Sequence, residues 1–172
     1  LLQARLALTG LALDDYAFDT LVAGFRTSYR AGRCALRRAL ANPRAKPLHT
    51  LRKALKHHVY QLRVLRPLWP QPLAAFHAQA DHAAELLGLH HDCALLRARL
   101  AGSAPGTARK ARIDALAAKR QASLASAALG LCQRLYAESG ASYSRRLTAY
   151  WQHPLPAKPP MGSRGQGPGN AE

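Results

Sequence analysis

The chain has 172 residues, with 25 Lys and Arg against 9 Asp and Glu, and a formal net charge of +16. Its length suits one domain and a tail, and 48% apolar residues suffice for a packed core. No apolar run approaches the roughly 20 residues needed to cross a bilayer.

Helix formers dominate while Val, Ile and Thr are scarce, which predicts an all-α fold. The first predicted helix runs from Tyr16 to about Ala41, with Asp14 and Asp15 as capping candidates. NPRAKP (42–47) breaks it, and a second helix starts with Pro47 near its first position and stops at Pro67. LWPQP reads as a turn. A third helix is expected from Leu73 to Gly88, another from HHDCALLRARL to AGSAPG, a long one from about Ala108 to Ser139, and a short one leading to Trp151. Five or six helices with short connections make a helical bundle. From Pro154 onward the chain is Pro/Gly-rich, which predicts a disordered tail over 154–172.

Cys34, Cys93 and Cys132 are odd in number and lack CxxC spacing, which fits reduced intracellular thiols better than a disulfide framework or a zinc site. Because it begins at Leu1 rather than methionine, the chain is expected to be an excised piece, which leaves room for a targeting segment to have been lost.

Charge is distributed unevenly. From Thr20 through Ala80 there is no Asp or Glu, yet twelve Lys and Arg (26, 30, 33, 37, 38, 44, 46, 52, 53, 56, 63 and 66). At about 100° per residue, His49, Arg52, Lys53, Lys56, Tyr60 and Arg63 share one side of the second helix, while Leu48, Leu51, Leu55, Val59, Leu62 and Leu65 cover much of the other. Arg26, Arg30, Arg33 and Arg37 recur at helical spacing on the first helix, with Tyr29 beside them. A solvated helix face usually interleaves signs. These strips repel themselves unless an anion sits between them, and helices joined by a short loop pack antiparallel, so the strips are expected to lie side by side around a shared anion.

GFRTSYRAGRCALRRA (24–39), LHTLRKALKHHVYQLRVL (48–65), AELLGLHHDCALL (84–96) and LCQRLYAESGASYSRRLTAYW (131–151) occur in the order and spacing of the CHAD family, the conserved-histidine α-helical domain, which the chain resembles over residues 1–153. The resemblance implies the second half of a pseudo-symmetric pair of helical bundles, without its first half. It also implies inorganic polyphosphate as the ligand, in the cytoplasm and at polyphosphate stores or granules. The expected partners are the missing half-domain and an upstream triphosphatase-type domain. Family motifs fall on Tyr29, Arg30, Arg33, His49, Arg52, Lys53, Lys56, Tyr60 and Arg63, and the helical wheel adds Arg26 and Arg37. An aromatic residue is common in the family where Val59 stands.

These residue types suit phosphate. Arginine presents a fork to two phosphate oxygens, and lysine acts as a point charge. Protonation of a histidine would add a further cation as pH falls through roughly 6.5. His57, His58, His77, His82, His90 and His91 read as caps, core hydrogen-bond groups or solvent-facing residues rather than metal ligands, with His91 and Asp92 as a candidate structural pair. No cofactor is expected. The alternative ligand is nucleic acid bound nonspecifically, but aromatics are only 6% of the chain and offer few platforms for bases. Without a phosphate-binding glycine loop or carboxylates among the basic helices, a noncatalytic module is expected. A membrane surface is a poorer partner, because the apolar faces opposite the strips are needed for the core.

Overall fold

The computed structural model describes residues 15–102 and 106–155. Asp14 and the tail from 156 onward lie outside them, and so do the expectations that fell there. Five α-helices run in order: α1 (Asp15–Ala41), α2 (Ala45–Leu65), α3 (Pro70–Gly102), α4 (Ala108–Leu135) and α5 (Gly140–Gln152). A single 3-10 turn, Arg66–Leu68, joins α2 to α3, and the described residues contain no strand.

The first two helices are built on the same repeat. Phe18, Val22, Phe25, Tyr29, Gly32, Leu36 and Ala39 are buried at alternating steps of four and three along α1. Leu48, Leu51, Leu55, His58, Leu62 and Leu65 do the same along α2. Such a seam lets neighbouring helices pack nearly parallel to one another over their whole length. Burying each leucine contributes about 1.5–3 kcal/mol. The link between them is short because Asn42 N–H donates to the Arg38 carbonyl and Arg44 N–H to that of Asn42, at 3.0 and 2.8 Å. α1 packs on α2, α2 on α3, α3 on α4, and α5 closes the core against α1.

Two boundaries differ from the sequence expectation. α3 is continuous where a break was expected near Gly88, and it starts at Pro70, inside the expected turn. A lone glycine costs a helix only about 1 kcal/mol, and Ala80, Ala83, Ala84, Leu87 and His90 keep the buried face running through it. At the other end of the chain α4 stops at Leu135, and α5 begins after Ser139, whose Oγ accepts from Ser142 N–H at 3.0 Å.

Glycine marks one close approach in this core. A Cβ at Gly32 would stand 2.5 Å from Tyr136 Cζ, in a ring that is 3% exposed and has nowhere to go. A Cβ at Gly88 would meet Arg52 Nε at an ordinary 3.6 Å. Thermal melts should therefore separate two identical substitutions. Gly32→Ala is expected to destabilise by about 1–3 kcal/mol, and Gly88→Ala to stabilise by up to about 1 kcal/mol through helix propensity.

Candidate anion-binding surface

The basic side of α2 follows from its buried side: with its leucine-bearing turns committed to the core, His49, Arg52, Lys53, Lys56, Tyr60 and Arg63 are left off the core, and His49, Arg52 and Lys56 reach α3. Arg52 lies across Gly88 of α3, where no side chain obstructs it, and its Nε is buried without an acceptor among the described residues. His49 is exposed, with its ring centroid 5.7 Å from that of His91. Lys53, Tyr60 and Arg63 are exposed. Lys56 is already engaged: its Nζ stands 3.1 Å from Asp81 Oδ1, with both side chains about 40% exposed. That ion pair is the only point at which an acidic residue among those described touches the strip.

Arg26 and Arg30 of α1 border α5 instead. The stems of Arg30 and Arg26 run over Gly140, where a Cβ would come within 2.6 Å of Arg30 Cγ. Arg26 also lines a groove of about 480 Å³ between α1 and α5, together with Arg145, Ser144, Thr148 and Asp19. Arg33 is half-buried and Arg37 exposed. No carboxylate among the described residues pairs with Arg26, Arg30, Arg33 or Arg37.

Two expectations are corrected by this geometry. The strips do not lie side by side: one follows the α1–α5 border and the other the α2–α3 border, at the outer edges of the α1–α2 pair. The cause is which flank of each buried seam the neighbouring helices cover. Tyr29 does not face an anion. Its ring is 1% exposed, stacks on Tyr143 at 4.2 Å and donates its hydroxyl to the Leu135 carbonyl at 3.0 Å. Burial, reinforced by Glu138, pushes that hydroxyl up to about 12, so it stays protonated.

Tyr29 belongs to a buried ring cluster with His58, Tyr136 and Tyr143, at centroid separations of 4.2 to 5.8 Å. Burial lowers His58 to about 4 and so keeps it neutral; the nearby Gln61 opposes this, and Arg146 adds to it. Arg146 packs over Phe76, Tyr143 and Tyr150 and is held by Glu138, which makes it structural despite its charge. In the HHD triplet it is His90, not His91, that is buried and bonded, at 3.2 Å to Gln121, whereas His91 and Asp92 are exposed.

A third group of cations escaped the wheel. Arg38, Asn42, Arg44, Lys46, Pro47 and Thr50 line a pocket of about 380 Å³ where α1 turns into α2. Wheels are drawn one helix at a time, and this pocket is made by the end of one helix and the start of the next; the available signal was the run of cations across RRALANPRAK.

The described residues contain no group of three or more His, Cys, Asp or Glu that could hold a metal ion, and no helix among them is long and apolar enough to cross a membrane. All three cysteines are free, and burial raises the Cys132 thiol to about 12. The family model for the CHAD domain matches residues 2–101, more than half of the chain. The chain belongs to the CHAD family. The CHAD match takes in α1, α2 and nearly all of α3, and with them both cationic strips; the 131–151 block lies beyond it. Comparison with curated proteins and with solved structures returns no match.

Proposed function

We propose that this CHAD chain is a noncatalytic module that binds inorganic polyphosphate along its cationic helix borders. The observation that carries the reading is the uncompensated charge of α1 and α2: twelve Lys and Arg between residues 20 and 80, no Asp or Glu, and among the described residues only Lys56 drawn into an ion pair from outside. CHAD domains are associated with polyphosphate-related proteins, which supports the choice of anion. A polymer of phosphates has no bases to read, and the strips offer Arg forks and Lys charges with Tyr60 as their one exposed aromatic residue. In the full protein such a module would hold polyphosphate at cytoplasmic stores or present it to a linked triphosphatase-type domain, with a second half-bundle completing the fold.

A titration of the chain with long-chain polyphosphate at physiological salt, with single-stranded DNA as competitor, tests the reading. Polyphosphate should bind and should displace the DNA. Preference for DNA would make the module a nonspecific nucleic-acid binder, and phosphate release on incubation would make it an enzyme.

The ion pair at the strip supplies a gain-of-function check. Asp81→Asn removes a competing carboxylate 3.1 Å from Lys56. Since a half-exposed pair is worth less than about 1 kcal/mol, the fold should survive, and affinity for polyphosphate should rise severalfold at low salt and less at high salt.

A further inference from the structure

We infer that the pocket at the α1–α2 corner is a separate site for a terminal phosphoryl group, as carried by the end of a polyphosphate chain or by free phosphate and pyrophosphate. The inference rests on the polyphosphate reading for its biological ligand, but it concerns residues that neither strip contains.

Three cations, Arg38, Arg44 and Lys46, line one concavity of about 380 Å³, together with Asn42, Thr50 and the apolar Ala35 and Pro47. No carboxylate lines it, and none of the three cations forms an ion pair among the described residues. They are brought together by the tight Asn42–Arg44 link, which fixes the chain reversal through the two backbone hydrogen bonds at 3.0 and 2.8 Å. Arg38 comes from the last turn of α1 and Lys46 from the first turn of α2. The amino-terminal end of α2 carries no acidic residue in its first turn and no side-chain cap, so its dipole adds to the cations rather than being neutralised.

Ligand charge sets the preference. An internal phosphate of a polyphosphate carries one negative charge. A terminal phosphoryl group loses a second proton near pH 6 and approaches two charges at neutral pH. Three cations along the walls of one small concavity favour the doubly charged group, whereas an extended strip favours many singly charged ones. Corner binding therefore strengthens as pH rises through about 6.

Linear tripolyphosphate, which has two ends, and cyclic trimetaphosphate, which has none, separate these cases by calorimetric titration of the full chain. Tripolyphosphate should bind more tightly, by about tenfold, the effect of one charge-assisted hydrogen bond, and the gap should widen from pH 5.5 to 7.5. Arg38→Gln combined with Lys46→Gln should close it. Arg109→Gln combined with Arg112→Gln, which removes equal charge from exposed positions on α4, should leave it open. Equal binding of the two ligands, or a gap that survives the corner variant, overturns the corner site. If long-chain polyphosphate binds in that same experiment, only the corner inference falls; if it fails to bind, the polyphosphate reading falls with it.

Discussion

The chain should lose about 3 kcal/mol of stability as pH falls from 6.5 to 4, with His58 responsible for most of the loss. In the unfolded chain this histidine accepts a proton near 6.5; in the folded core it resists protonation until about 4. Between those values the unfolded state binds more protons, so the stabilisation is complete above 6.5, declines through the window and is gone below 4. The side chain is 3% exposed, so solvent does little to screen the effect. Burial also lowers His90, which adds in the same direction. Ordinary carboxylates titrate near 4, so the interval from 6.5 to 5 isolates the histidines. Urea unfolding at a series of pH values measures the slope, and His58→Phe, which keeps a ring against Tyr29, Tyr136 and Tyr143, should remove most of it. Should that variant fold poorly, a wild-type NMR titration of the His58 ring provides the same answer. Stability that stays level between 6.5 and 4.5, or a ring that protonates near 6, would count against a neutral buried histidine.

That cluster also shows where sequence reasoning reached its end. Capping candidates and proline breaks placed α1 and α2 to within two residues of their ends, and the spacing of the α2 leucines identified the buried side of that helix before folding. The same periodicity sorted Arg26, Arg30, Arg33 and Arg37 onto one side of α1. It could not say which helix would border that side, because a wheel fixes directions around one axis and leaves the neighbours unspecified. α5 took the border of α1 through Gly140, and α3 took that of α2 through Gly88. Tyr29 went wrong for a related reason: it lies in the buried seam but next to Arg30 in sequence, and the aromatic partners that surround it come from residues 136 and 143, over a hundred positions later. His58 was grouped with His57 as solvent or core, and only its contact with three tyrosines decides between them.

Separation of the strips leads to the second large effect, in how affinity depends on polyphosphate length. Gln replacements at Arg30, Arg33, Arg52 and Lys56 together should weaken long-chain binding by about a hundredfold or more, at a net cost of one to two charge-assisted bonds per strip. They should also reduce the dependence of log affinity on log salt by roughly 0.7 to 0.9 for each phosphate no longer neutralised, by analogy with nucleic acids. Lys56 should contribute least of the four, because Asp81 already holds it. Circular dichroism should show the helices unchanged, since none of the four residues belongs to the core. The α1–α2 pair places its two outer borders about 20 Å apart, from helix diameters and interaxial spacing. A long chain that follows both borders binds the second intramolecularly, so removing either strip forfeits that gain in effective concentration, and the penalties of the two strips multiply. A three-phosphate ligand is too short to reach across. For it, replacing Arg30 and Arg33 should leave affinity at Arg52 unchanged and remove only binding sites from the stoichiometry. Identical multiplicative losses for short and long ligands would mean that the strips act as one converged site, against their placement at the α3 and α5 borders.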